Sequence, residues 1–348
     1  MPHVQTVLGP VEPERLGRVL SHEHLLCLTP GPGLGQDPVD TAVAALRGLT
    51  AYGIDTVVDL SPYGDAGRDA DGANTVLLRE IARRSGLHVI AGTATYRADF
   101  SPAWVRAAGV AELTRRFVAD ATEGIGAGRW DEAGEGAGEG EGRVRAGILG
   151  EQPTGLGEVT AHEERGLRAA ARAHHATGLA VSTHTTHGTM ALEQIAILDQ
   201  EGVPRERVVI GHLDNHPDLD HVRRVLDTGV NIAFDSIGKQ FWDLRTPRPP
   251  DTAPDGEYPK RALRHSDLTR ADRLARLVAE GHAGQVLLSM DLTGGQAWAN
   301  PATHGRWGYR YLPAVFTGLL AERGVDEARL EEMLRTNPVR LLTIDRSS

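Results

Sequence analysis

"RVLSHEHLLC", residues 18–27, sets two histidines on either side of a glutamate inside a run that otherwise reads as a buried strand. Burying a polar group without a partner costs on the order of a few kcal/mol, so a strand carrying three of them must find them partners. Alternate residues of a strand share a face. His22 and His24 therefore point the same way and Glu23 the other.

Working outward, seven further short apolar or β-branched runs follow: "DTVVDLS", "HVIAGTATY", "RAGILGE", "LAVSTHT", "RVVIGHL", "VNIAFDS" and "QVLLSMDL". Between them lie segments such as "HEERGLRAAARAHHATG" and "TMALEQIAILDQEG", whose apolar residues recur every three to four positions and which end in Gly. Eight strands alternating with helices predict a (β/α)8 TIM barrel, whose parallel strands, buried on both faces, read as near-continuous apolar runs. A doubly wound open sheet is the competing fold, but no glycine-rich phosphate loop follows the first strand. The length of 348 residues suits one barrel domain spanning 1–348 with insertions. The Gly/Glu tract "DEAGEGAGEGEGR", 131–143, is expected to be a mobile surface insertion. The long loop 238–267, after the seventh strand, mixes Pro with aromatic and basic residues and is expected to shape the substrate site.

A formal charge of −10, from 47 acidic and 37 basic side chains, argues against nucleic acid or an anionic membrane as the main partner and for a small-molecule substrate. Cys27 is the single cysteine, so no intramolecular disulfide forms; with no basic-then-apolar start to the chain, a cytoplasmic protein is expected. No stretch approaches the roughly 18 uninterrupted apolar residues of a membrane span.

The position of the histidines raises their weight. His184 in "STHT", His212 in "VIGHLD" and Asp291 in "LLSMDL" fall at the C-terminal ends of the fifth, sixth and eighth strands, and Glu151 in "ILGEQ" at that of the fourth. That end of a barrel holds the active site. Four imidazoles and two carboxylates thus converge from five strands. Such donors suit zinc and other first-row divalent metals, and six exceed what one tetrahedral ion takes, so two ions sharing a bridge are expected. Metal affinity should fall as pH drops below the imidazole range near 6.5. His174, His175, His187, His216 and His221 read as surface or capping residues on helices and loop starts.

From "GRVLSHEHL" to "RTNPVRLL", with "GRD" at 67–69, "GTATYRADFSP", "AARAHHATGLAVSTHT", "ERVVIGHLD" and "LLSMD" between, the chain resembles the phosphotriesterase-like members of the metal-dependent amidohydrolase superfamily nearly end to end. The resemblance implies that His22, His24 and Asp291 hold the more buried of two divalent metal ions, expected to be Zn2+. His184 and His212 would hold the more exposed one, with a carboxylate bridging. In the best-known phosphotriesterases the bridge is a carboxylated lysine on the fourth strand. Here the only lysines are Lys239 and Lys260, and Glu151 stands at that strand end, as in the phosphotriesterase-homology branch.

The implied activity is hydrolysis by a metal-bridging hydroxide, with Asp291 as the catalytic proton acceptor, on a lactone or carboxylic ester, phosphorylated ones included. An amidase acting on an N-acyl amino compound, an organophosphate triesterase and a metal-stabilised binding protein are the competing readings. Tyr96 would face the substrate or pack under a loop. Lys239, Arg261 and Arg264 are candidates for binding a substrate anion. Arg68 would pair with Asp69 or a neighbouring strand end, and Glu23 and Asp214 would orient metal-binding imidazoles, Glu23 alternatively forming a structural ion pair. Trp242, Trp298 and Trp307 would line a leaving-group pocket or pack the loops. Relatives are commonly dimers, which implies a homodimer.

Overall fold

The computed structural model describes residues 1–28, 37–64, 67–126, 143–239, 265–293 and 308–345. Outside them lie most of the 131–143 and 238–267 segments, with Arg261, Arg264, Lys260, Trp242, Trp298 and Trp307.

A short antiparallel hairpin, β1 (Val4–Thr6) and β2 (Gly9–Val11), precedes the barrel. The barrel strands are β3 (Arg18–Glu23), β4 (Ile54–Asp59), β5 (His88–Gly92), β6 (Ala146–Thr154), β7 (Val181–Thr185), β8 (Val208–Ile210), β9 (Asn231–Phe234) and β10 (Val286–Leu288). They pair in parallel in chain order from β3 to β10, so the eight runs marked by the sequence are the eight staves. The two quoted helical segments form Ala161–Thr177 and Ala191–Gln200. The first starts on a capping box between Thr160 and Glu163 and stops at Gly178 in the left-handed region at φ 76°, as a C-terminal glycine does.

Neighbouring residues of one strand enter two separate cores. Val58, Ile90, Ile148, Val209, Ala233 and Leu287 fill the lumen. Val57, Val89, Leu149, Ile210, Ile232 and Leu288 face the helices. Both faces are dry, which is why the strands read as apolar runs. Val4, Leu16, Leu341 and Leu342 close the lumen's floor.

Two bulges aim the site. Val19 faces the lumen and Leu20 the helices, so unbroken alternation would turn His22 and His24 outward. Between Leu20 and Glu23, β3 spends three steps where β4 spends two, from Val57 to Asp59. The extra residue reverses the alternation and brings both histidines inward. β6 does the same between Leu149 and Gln152 against Val181 and Thr183 of β7, and so presents Glu151.

Glu23 sits at the seam between β10 and β3. Its carboxylate accepts from the Ser289 hydroxyl at 2.8 Å, Met290 N–H at 2.9 Å and Leu292 N–H at 3.0 Å, while Asp291 N–H donates to the His22 carbonyl at 3.0 Å. The outward glutamate stitches the barrel and grips both neighbours of Asp291. It orients no imidazole, contrary to the sequence-based expectation, because the seam's backbone donors reach it first. Burial pushes its carboxyl up to about 7 against the pull of these three donors.

Candidate metal centre

His22, His24, Glu151, His184, His212 and Asp291 meet at the C-terminal mouth. Glu151, 3 % exposed, is the hub. Its Oε2 lies 3.1 Å from His22 Nε2, 3.0 Å from His184 Nδ1 and 3.4 Å from His212 Nε2, and its Oε1 lies 3.4 Å from His24 Nε2. Asp291 Oδ1 stands 2.9 Å from His24 Nε2 and 3.7 Å from His22 Nε2. One carboxylate thus faces all four imidazoles, and a second closes over the two from β3. Asp291 and His212 lie just past their strands, in the left-handed region at φ 47° and 61°, a conformation that costs a non-glycine residue on the order of 1–3 kcal/mol and persists where neighbours hold it.

His212 is held by a residue that the sequence reading passed over. Asp235, fully buried at the end of β9, receives His212 N–H at 3.0 Å and His212 Nδ1 at 2.8 Å on Oδ1, and His22 Nδ1 at 2.9 Å on Oδ2. Protons on both Nδ1 atoms leave both Nε2 atoms free to face Glu151. The signal was present in "VNIAFDS", where an acid ends an apolar strand as His212 ends its own.

His24 Nδ1 is 3.2 Å from Ser61 Oγ, and Asp59 accepts Leu25 N–H at 2.8 Å and Ser61 N–H at 3.2 Å. Arg68 reaches Asp59 at 3.4 Å and the Gly92 carbonyl at 2.6 Å, so it serves a neighbouring strand end and not Asp69. Asp214 does not orient an imidazole either. It is bound 2.5 Å from Arg270 Nε, both side chains fully buried, because a buried carboxylate takes the nearest guanidinium.

The electrostatics follow from this crowding. Burial lowers the His22 and His212 imidazoliums, but Glu151 and Asp235 prevail: His22 rises well above 6.5, and His212 reaches about 10. His184, buried and next to the charge of His212, is pushed down to about 4 in spite of Glu151. Glu151, Asp235 and Asp291 sit below the usual carboxylate range; burial opposes this, and the imidazoles, with Lys239 for Asp291, outweigh it.

These residues fit a cation. His22–His24–Glu151 and Glu151–His184–His212 each offer three ligand atoms within 4.8 Å of one another and share Glu151. His22 Nε2 is buried with no hydrogen-bond partner, and two nitrogens, His212 Nε2 and His184 Nδ1, lie 2.8 Å apart. Buried imidazole nitrogens converging in this way lack partners that only protons or metal ions supply.

Of the substrate candidates, Tyr96 lies in the loop beyond β5, its ring edge-on to His184 at 5.4 Å. The strand stops at Gly92, short of the predicted end at Tyr96. Lys239 pairs with Asp291 Oδ2. Arg261 and Arg264 lie outside the described residues. His174 caps its helix by bonding the Leu179 carbonyl at 2.7 Å, and His216 stacks on His221; neither pair joins the cage.

A parallel barrel with a histidine–carboxylate cage at its C-terminal mouth defines a metal-dependent hydrolase. The sequence pattern of the phosphotriesterase family matches residues 2–342, and the chain belongs to that family. It is 33% identical over 267 residues to the phosphotriesterase homology protein of Escherichia coli (strain K12), a match covering 77% of this chain and 78% of that one. With the phospho-furanose lactonase of Mycoplasmopsis synoviae it shares 27% identity over 98% of this chain and 92% of the relative. The crystal structure of the Escherichia coli phosphotriesterase homology protein, complexed with phosphate in its active site, superposes with a TM-score of 0.73 at 29% identity and covers 95% of this chain and 100% of that one. The fold and the enzyme class expected from the sequence are thereby established. Among the described residues no helix is long and apolar enough to cross a membrane.

Proposed function

We propose that the protein hydrolyses a lactone or carboxylic ester, including phosphorylated ones, with two zinc ions, for which His22, His24 and Asp291 would supply one ligand set, His184 and His212 the other, and Glu151 would serve both. The observation that carries this reading is the placement of Glu151, whose two oxygens lie 3.0–3.4 Å from a nitrogen of each histidine. Divalent ions bound there supply Lewis acidity toward a carbonyl oxygen and a nucleophile ionised near neutral pH.

The chain's own groups do the rest. Asp235 fixes the rings of His22 and His212 from behind. Asp291, whose two neighbours are held by Glu23 and whose own N–H donates to the His22 carbonyl, presents Oδ1 to the cage and accepts the proton released when the tetrahedral intermediate forms. Lys239, beside Asp291 Oδ2, offers its ammonium to an anionic substrate, and Tyr96 borders the mouth next to His184. The choice of a lactone draws on the phospho-furanose lactonase among the relatives and on the phosphate in the Escherichia coli structure.

Metal analysis together with a hydrolysis screen tests the reading. About two zinc ions per chain with turnover of lactones is the expected result. A single ion, or turnover of N-acyl amines or aryl phosphotriesters with lactones refused, overturns it.

A further inference from the structure

Outside the cage, the loop after β5 carries a cation that the hydrolytic machinery leaves unused. Arg97 lies with its guanidinium carbon 5.6 Å over the Tyr96 ring and 4.8 Å over the Phe100 ring, while Phe100 meets Tyr96 edge-on at 6.0 Å. Tyr96 in turn abuts His184. The platform is braced: the Tyr96 carbonyl accepts from Ser101 Oγ at 2.7 Å and His162 Nε2 at 2.8 Å, and Arg106 donates to the Ser101 carbonyl. Yet no carboxylate among the described residues pairs with Arg97, and its Nε is buried without a hydrogen-bond partner. Of the buried arginines, Arg68, Arg116 and Arg270 pair with Asp59, Asp120 and Asp214, and Arg273 donates to the His216 and Pro217 carbonyls, whereas the Arg97 guanidinium has neither kind of partner among the described residues. A half-buried guanidinium that lies over two aromatic rings, beside a tyrosine that abuts His184 and with no acid to neutralise it, is suited to receive a planar or tetrahedral oxyanion on its terminal nitrogens.

We infer that Arg97 recognises an oxyanion, carboxylate or phosphate, carried by the substrate several bonds away from the carbonyl that is attacked. This inference rests on the esterase or lactonase reading and narrows it: the substrate is anionic at its far end, and Tyr96 and Phe100 form the floor along which its chain lies. Neutral lactones bind without that anchor.

The test separates the two claims. With the zinc-loaded enzyme, Arg97→Met, which keeps a chain long enough to cover Tyr96 and Phe100, should raise KM for a lactone bearing a distal carboxylate or phosphate by about 10- to 100-fold, with little change in kcat and none for the neutral lactone of the same ring. Arg97→Lys should recover part of the loss. Independently of any turnover, α,ω-dicarboxylates and ω-phosphonocarboxylates from four to eight carbons are compared as ligands with monocarboxylates of equal length. Wild type should favour one length of the doubly charged series by about tenfold or more, and Arg97→Met should erase that preference. The series that shows the larger preference identifies the anion. No preference in wild type, or an equal preference in Arg97→Met, overturns the inference, as does an equal loss on neutral and anionic lactones. If lactones are refused and the Arg97-dependent preference persists, the lactonase reading fails and the anion site stands.

Discussion

Asp235 binds the back of two cage imidazoles at once, His22 Nδ1 at 2.9 Å and His212 Nδ1 at 2.8 Å, one on each carboxylate oxygen. It fixes both tautomers, and through His212 N–H it also holds that residue's left-handed backbone.

Asp235→Asn keeps the shape and removes half of this function. The amide oxygen serves one ring while its NH2 confronts the other's Nδ1, which is left to move its proton to Nε2, the atom that a cation needs. Zinc affinity should fall by about 10- to 100-fold, with the thermal midpoint of the metal-free protein changed far less. Zinc retained against a graded chelator series reads this directly. Wild-type retention by the variant would remove the orienting role.

Proton competition for the cage should reach well above the ordinary histidine range. In the metal-free protein His22 titrates well above 6.5 and His212 at about 10. Raised imidazole values contribute stability that is fully present below about 6.5 and lost as pH climbs through about 10. Glu151, Asp235 and Asp291 are depressed, and their contribution is present above about pH 4 and lost on acidification. After chelation, the thermal midpoint should therefore decline from pH 7 to pH 10, and the zinc-loaded protein should not follow it. Zinc uptake at pH 8 should release at least the proton that His212 holds there, measured by calorimetry in buffers of differing ionisation heat. Release of none, with a flat metal-free profile, contradicts the geometry.

Glu23 is the seam of the barrel, and its removal should act on stability first. Glu23→Ala strands Met290 and Leu292 N–H in the interior, at about 1–3 kcal/mol for each orphaned donor. Glu23→Gln should cost less, since its oxygen still accepts while its NH2 meets a donor. Urea unfolding measures both. Because the two stranded amides flank Asp291, turnover in the folded fraction should fall too. A loss of stability with unchanged kcat would confine Glu23 to the fold.

The strand-end residues were legible because a barrel gives every strand the same end, so chemistry read at five separate strand ends belongs to one mouth. Contacts set by tertiary reach were not. Lys239 and Asp291 are 52 positions apart, Arg270 and Asp214 56, and nothing in either local pattern chooses the partner. The bulges at Leu20–Glu23 and Leu149–Gln152 were also silent: the rule that His22 and His24 share a face holds, but only the extra residue decides that this face is the lumen. Asp235 escaped notice because it binds the binders, and a search for ligand types at strand ends weighs histidines before an acid among apolar neighbours.

Asp291 carries the heaviest catalytic assignment, and Lys239 is the means of testing it. Asp291→Asn preserves the shape of the side chain and leaves one oxygen for the cage, so zinc should remain bound, with the ion assigned to His22 and His24 loosened. It removes the proton acceptor, and kcat should drop by about 10²- to 10⁴-fold with a modest change in KM. Lys239→Met leaves the carboxylate in place but strips it of the ammonium at Oδ2; zinc should bind more tightly, because a competing cation is gone, while kcat falls far less than in Asp291→Asn. Steady-state kinetics paired with zinc titration of the two variants separates the roles. Full turnover in Asp291→Asn would move the proton to another group, and an unchanged zinc affinity in Lys239→Met would show that the ammonium does not compete for this carboxylate.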